Sequence, residues 1–257
     1  MNVSLNWIAL KTLIRKEVIR VLRIWVQTIV PPAITMTLYF IIFGNLIGRR
    51  IGEMGGFDYM QYIAPGLIMM SVITNSYGNV VSSFFGAKFG KHVEEMLVAP
   101  MSNATIIIGH IGGGVIRGLM VGALVTLIAL GFTKLSVENP LITFSMVILA
   151  STVFALLGFT NAIFAKKFDD ISIIPTFVLT PLTYLGGVFY SISLLPDFWQ
   201  KVSLGNPILY MVNAFRYGIL GTSDISIAYA YLIVCFFVVA LFSLNLFLLN
   251  RGAGIRE

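Results

Sequence analysis

The chain is short of the residues that water-exposed domains place on their surfaces. Of its 257 residues only 11% are charged, where a soluble domain carries about a quarter. Acidic residues are the scarcer sign, 11 against 17 basic ones. Cysteine is nearly absent: Cys235 stands alone in an apolar run, which excludes a disulfide framework and a cysteine metal cluster. His92 and His110 have no companions at ligand spacing, so no metal centre is expected. There is no Gly-x-Ser-x-Gly turn and no acidic pair inside an apolar run, which argues against an embedded hydrolase. GAKFGK at 86–91 invites comparison with a phosphate-binding loop, but Gly90 follows Gly86 by four positions instead of five, and His92 replaces Ser or Thr. The chain is therefore expected to have no catalytic site, no nucleotide site and no cofactor of its own. No A-x-A cleavage site follows a short apolar core, so no processed signal is expected.

What the chain has is apolar length. With 58% hydrophobic residues and several runs of about twenty, it reads as an all-α integral membrane protein, one domain over 1–257. Six transmembrane helices are expected at about 26–47, 60–85, 106–132, 141–165, 171–190 and 228–250. The net charge of +6 then marks cytoplasmic loops and lipid headgroup contacts, not nucleic acid. Residues 2–25 are too charged to span. At helical spacing Trp7, Leu10, Ile14, Val18, Val21 and Trp25 form one stripe with Lys16, Arg20 and Arg23 opposite, an amphipathic interfacial helix. Arg49–Tyr59 is a short polar link. Placing both termini in the cytoplasm puts eleven basic residues inside and five outside, with Arg117 left in the third span.

Before the last span lies Gly186–Gly221, broken at Pro196 and Pro207. Pro207 to Leu220 makes about 21 Å of helix against a hydrocarbon core of roughly 30 Å, too short to cross. The segment at about 194–221 reads as a re-entrant helical hairpin carrying Asn206, Asn213 and Arg216, which should face protein or water. Pro175 and Pro181 should kink or unwind the fifth span. Gly114, Gly118 and Gly122 recur every fourth position, the spacing of a close helix–helix contact. Arg117, among them, needs a partner or a lipid phosphate. Between spans two and three, Phe89, Val93, Met96 and Leu97 form an apolar face bordered by Lys88, Lys91, Glu94 and Glu95, and Pro100 ends the segment. Both signs of charge beside an apolar stripe suit a cleft in a soluble protein better than a lipid surface. Asp169–Asp170 beside Lys166–Lys167 reads as a solvated loop.

Pro196, Phe198–Trp199, Asn206–Pro207, Arg216–Tyr217 and Gly221, following GGVFYS, resemble the C-terminal signature of type-2 ATP-binding-cassette exporter permeases. The resemblance runs the length of the chain, through VQTIVPPAITMTLYFIIFGNLIG and FDDISIIPTFVLTPLTYLGGVFYS. It implies a permease of the bacterial inner membrane that works as a homodimer with two copies of a separate ATPase. It implies that Phe89, Lys91, Val93, Glu94, Glu95, Met96 and Leu97 couple to that ATPase. It makes Pro196, Phe198, Trp199, Asn206, Pro207, Asn213, Arg216 and Tyr217 an outer gate. The substrate class stays open among lipids, glycan precursors and drug-like molecules. A gradient-driven carrier or channel is the alternative; it calls for acidic residues inside the spans, and none is evident there.

Overall fold

The computed structural model describes residues 3–254; the expected helix start at Asn2 and the basic Arg256 lie outside the described residues. Helix α1 (Val3–Arg23) passes at Ile24 into α2 (Trp25–Tyr39). α2 continues through a π-helical stretch, Phe40–Ile47, into the short α3 (Gly48–Ile51). Where only a polar link was expected, Glu53–Met54 pairs antiparallel with Phe57–Asp58. Gly55 and Gly56 at the tip have φ of +62° and +82°, a region open to glycine at little cost.

α4 (Tyr59–Phe89) follows, its first turn capped by Asp58, whose carboxylate accepts from Met60 N at 3.2 Å. Next come α5 (His92–Val98), α6 (Asn103–Phe132) and α7 (Pro140–Phe164). Among the described residues, four segments are long and apolar enough to cross a membrane: Trp25–Gly44, Asn103–Leu130, Pro140–Phe164 and Ile227–Arg251. α4 equals them in length but carries Asn75, Ser76, Asn79, Ser82 and Ser83. It tolerates these because α6, α7 and α11 surround it, so most of its side chains meet protein and not lipid. α4 is the centre of the core.

The fifth expected span is broken. α8 (Asp170–Ile174), a π-helical stretch Pro175–Leu179 and α9 (Thr180–Tyr184) succeed one another, and helix stops at Tyr184 instead of Tyr190. The two prolines supply no N–H, and Thr180 N and Oγ1 both turn to the Pro175 carbonyl, widening the helix by one residue. Gly187, at φ +69°, then reverses the chain. A short 3₁₀ turn (Ile192–Leu194) leads to α10 (Asp197–Leu204), α11 (Pro207–Leu220) and α12 (Ile227–Arg251).

Helix α1 differs from its expected orientation. Its buried residues are Leu13, Glu17 and Val21, whereas Trp7 and Trp25 of the expected apolar stripe are exposed. The cause lies in α6. A Cβ on Gly109 would stand 2.7 Å from Leu13 Cβ, and one on Gly113 would stand 2.5 Å from Glu17 Cβ. Asn6 accepts from Ser102 N at 2.8 Å, so α1 ascends parallel to α6 in a groove that glycine opens.

The adjacent glycine row of α6 meets α4 and α7. A Cβ on Gly114 would lie 2.6 Å from Val80 Cγ2 and 3.0 Å from Ala155 Cβ. On Gly118 it would collide with Ser76 Oγ and come within 2.8 Å of Ser151 Oγ. On Gly122 it would lie 2.8 Å from Val72 Cγ2. Gly158 of α7 approaches closer to backbone: a Cβ there would stand 2.7 Å from the Tyr77 carbonyl oxygen.

Candidate functional site

The polar residues of the hairpin converge on backbone. Pro196 precedes α10, and its carbonyl accepts from Gln200 N at 3.0 Å. Phe198 and Trp199 on α10 are exposed, rings T-shaped at 5.3 Å, as suits headgroup depth. Asn206 caps α11: Oδ1 accepts from Ile208 N at 3.0 Å, and Nδ2 donates to the Leu182 carbonyl at 2.6 Å. Pro207 takes the first helical position, where a missing N–H costs nothing. Asn213 Oδ1 accepts from Asp224 N at 3.0 Å. Tyr217 is half-buried, its carbonyl accepting from Gly221 N at 2.9 Å as Gly221 turns left-handed at φ +72°.

Arg216 is 1% exposed. Its Nη2 donates to the Gly187 carbonyl at 2.6 Å and its Nε to the Tyr62 carbonyl at 3.3 Å. The guanidinium lies 4.1 Å from the centroid of the Tyr62 ring, a contact worth about 2 kcal/mol when desolvated. One side chain thus clamps α11 to α4 and to the reversal after α9. Ile192 N donates to Asp224 Oδ2 at 3.2 Å, bringing together the two ends of the segment that contains α10 and α11. Tyr62, Gly187 and Asp224 were not singled out in the sequence; nothing local announces that Arg216 would reach the first two or that Ile192 and Asn213 would meet the third.

Beside this clamp, a groove of about 230 Å³ runs between α4 and the broken helix, lined by Thr74, Thr176, Thr180, Thr183, Leu179 and Tyr184. The hydroxyls of Thr74, Thr180 and Thr183 donate to carbonyls of their own helices, leaving acceptor lone pairs for a visitor.

At the other end of α4, Lys91 has φ +61°, a left-handed conformation that a lysine adopts at some cost and that turns the chain into α5. The expected apolar face of this segment is divided. Val93 is 1% exposed and belongs to the core; Met96 and Leu97 are half-buried against it. Phe89, Lys91, Glu94, Glu95 and Val98 are exposed. The face open to a partner is therefore Phe89 with Val98 and the charges, not Val93: the left-handed Lys91 rotates α5 relative to α4, which a continuous helical wheel does not anticipate. A cleft of about 1020 Å³ opens here, lined by Phe85, Phe89, Lys91, Glu94, Val98 and Lys166. Lys88 Nζ donates to the Ile163 and Ala165 carbonyls at 2.6 and 2.8 Å, tying the end of α7 to α4. In the nearby loop, Asp170 Oδ2 accepts from Lys166 N and Lys167 N at 2.8 and 3.0 Å, and these N–H groups hold its carboxyl below the usual range.

A further polar junction joins α1, α4 and α6. Glu17, 1% exposed, accepts from Ser83 Oγ at 2.5 Å and from Arg20 Nη2 at 3.0 Å. Arg20 also donates to Asn79 Oδ1 at 2.7 Å. Arg117 Nη2 donates to Asn75 Oδ1 at 3.3 Å. The sequence signal was present in part: Glu17 is the one acid in a helix of five bases, three positions before Arg20.

The ABC-2 type transporter family model matches residues 8–220. Inner membrane transport permease YadH of Escherichia coli (strain K12) is 58% identical over 253 residues, 98% of this chain and 99% of that protein. Nodulation protein J of Rhizobium leguminosarum bv. trifolii is 25% identical over 251 residues, 96% of this chain and 94% of the relative. With the helical bundle and its apolar spans, these matches lead to one assignment: the chain belongs to the ABC-2 type transporter family.

Proposed function

We propose that the chain is the membrane-spanning permease subunit of an ATP-driven exporter of a bacterial inner membrane, both termini cytoplasmic. It acts as a homodimer, with two copies of a separate ATPase beneath. The observation that carries this reading is the 58% identity, end to end, with an inner membrane transport permease. Six crossings are α2, α4, α6, α7, the broken α8–α9 and α12. The segment α10–α11 dips in from the outside and returns; the contact of Ile192 with Asp224 supports this, since entry and exit then share one side. The continuous core around α4 supports reading 1–257 as a single domain.

The homodimer draws support from α4. Elsewhere uncovered helix faces carry Leu127, Phe144, Phe236 and Val239, as lipid requires. The uncovered line of α4 carries Thr74, Gly78, Ser82 and Gly86, which suits a second protomer or a polar path. The threonine-lined groove lies on this side, and a substrate with polar and apolar parts would pass there. Phe89, Lys91, Glu94, Glu95 and Val98 form the ATPase-facing surface, with Met96 and Leu97 at its margin. The hairpin is the outer gate, held by Arg216.

A gradient-driven carrier or channel is the alternative reading. It needs an acid free to exchange a proton; among the described residues the buried acid is Glu17, and Arg20 and Ser83 engage it. Affinity purification of the permease from gently solubilised membranes tests the proposal. An ATPase subunit should accompany it in equal copy number, and transport into proteoliposomes should require both. Transport by the isolated chain under an ion gradient would overturn it.

A further inference from the structure

At the junction of α1, α4 and α6, Glu17, Arg20 and Arg117 bond in turn to Ser83, Asn79 and Asn75 of α4, one carboxylate for two guanidinium groups. Arg20 is paired: Nε and Nη2 both reach Glu17 Oε2, at 3.2 and 3.0 Å. Arg117 is not. Among the described residues no carboxylate lies within 4.0 Å of it; its contact is the neutral Asn75, and its Nε is buried without an acceptor. Arg20 binds Asn79 and Arg117 binds Asn75, one helical turn apart on α4, and the two positive charges repel each other. Asn79 is 0% exposed, and its Nδ2, a further donor, has no partner. Arg117 lies fourteen residues from the start of α6, or about 21 Å along a helix of roughly 45 Å. An unneutralised arginine at that depth is costly unless an anion answers it.

We propose that Arg20 and Arg117, presented by Asn79 and Asn75, form a binding site for the phosphate headgroup of an amphiphile reaching the bundle between α1, α4 and α6. The chemistry favours phosphate. Two planar forks from different helices offer more donors than a carboxylate's two oxygens can accept, whereas a phosphate monoester presents three oxygens and up to two charges. Glu17 orients Arg20 and leaves one net positive charge for the anion. Arg20 remains 27% exposed and Arg117 partly so, so the site is open on one side, as a headgroup with its chains still in lipid requires. The inference deepens the transport reading by naming the phosphate-bearing class, and its test involves no ATPase, so either can fail without the other.

The purified permease in neutral detergent is titrated with dioctanoyl phosphatidate, dioctanoylglycerol and dioctanoyl phosphatidylcholine. Phosphatidate should bind at least tenfold more tightly than the other two. Arg117→Gln should lose that preference, and Arg117→Lys should keep part of it, a point charge replacing the fork. Inorganic phosphate at matched concentration separates the sources: competition assigns the site to the free anion, and its failure assigns it to the lipid-borne group. Equal binding of phosphatidate by Arg117→Gln and wild type overturns the proposal. Should Arg117→Gln not assemble, the wild-type comparison decides alone, because equal affinity for phosphatidate and dioctanoylglycerol excludes a phosphate site.

Discussion

Replacing Gly158 by alanine adds one methyl group where α7 crosses α4. The new Cβ would stand 2.7 Å from the Tyr77 carbonyl oxygen and 3.3 Å from Val81 N, about an ångström inside van der Waals contact for the first. Neither atom belongs to a side chain that can swing aside, so the helices must separate. Overpacking of this kind costs about 1–3 kcal/mol. Alanine returns about 1 kcal/mol through its helix propensity, leaving a net loss of about 1 kcal/mol at the middle of that range and about 2 kcal/mol at its top. For a chain of this size that lowers Tm by about 2–8 °C. Gly131→Ala in α6 is the matched control, since a Cβ there meets nothing within 4 Å, and its melting should not fall. The assay is the temperature at which half the detergent-solubilised protein is lost from the monodisperse peak in size-exclusion chromatography. If Gly158→Ala melts at or above wild type while Gly131→Ala does the same, α4 and α7 do not touch as described.

Val93→Asp, which buries a charge in the core, should abolish assembly, whereas Val98→Asp with Phe89→Asp should leave the permease folded and weaken ATPase co-purification at least tenfold; the reverse pattern would place the partner surface on the Val93 side. In a Cys235→Ser background, cysteines at Leu194 and Ser226, both exposed, should each react with an impermeant reagent added outside intact cells, and reaction of one from the cytoplasm only would make α10–α11 a crossing. Asp170→Asn removes the acceptor for two loop N–H groups. Because the folded carboxyl titrates below its ordinary value, that stabilisation is present above about pH 4 and is lost as pH falls through the lowered value. The melting difference from wild type should therefore be steady from pH 7 to 5 and shrink below pH 4, and a difference that grows on acidification contradicts the assignment.

The apolar spans were legible because lipid imposes one rule along twenty residues at a time, and the ends of α6, α7 and α12 lie within three residues of those expected where a single helix runs through. α4 was legible by length although its serines and asparagines dilute its apolar character, since protein replaces lipid around it. What stayed hidden depends on pairs far apart in sequence. Arg216 was expected to face protein or water, but Tyr62 and Gly187 are found only once α11 is seated among α4, α7 and α12. Gly114, Gly118 and Gly122 of α6 were read as one packing face and meet α4 and α7, while Gly109 and Gly113, outside that face, receive α1. Three acceptors on one helix cannot be apportioned from spacing. α1 was misoriented for the same reason: a wheel that ranks hydrophobicity turns Glu17 outward, and the bonds it accepts from Ser83 and Arg20 make its burial tolerable.

Helix α4 carries one more consequence, a mechanical one. Tyr62, which holds Arg216, and Phe89, which stands at the opposite tip, are 27 residues apart on one uninterrupted helix. That makes a strut of about 40 Å. Bending so well-jacketed a helix requires disturbing α6, α7 and α11 at once, so it answers a push by tilting as a whole. A tilt of about 3° pivoting at one end carries the other through about 2 Å over that length. The 3.3 Å bond from Arg216 Nε to the Tyr62 carbonyl does not survive a 2 Å displacement. Force applied beside Phe89 is thus delivered, without any moving intermediary, to the catch that holds α11 in place.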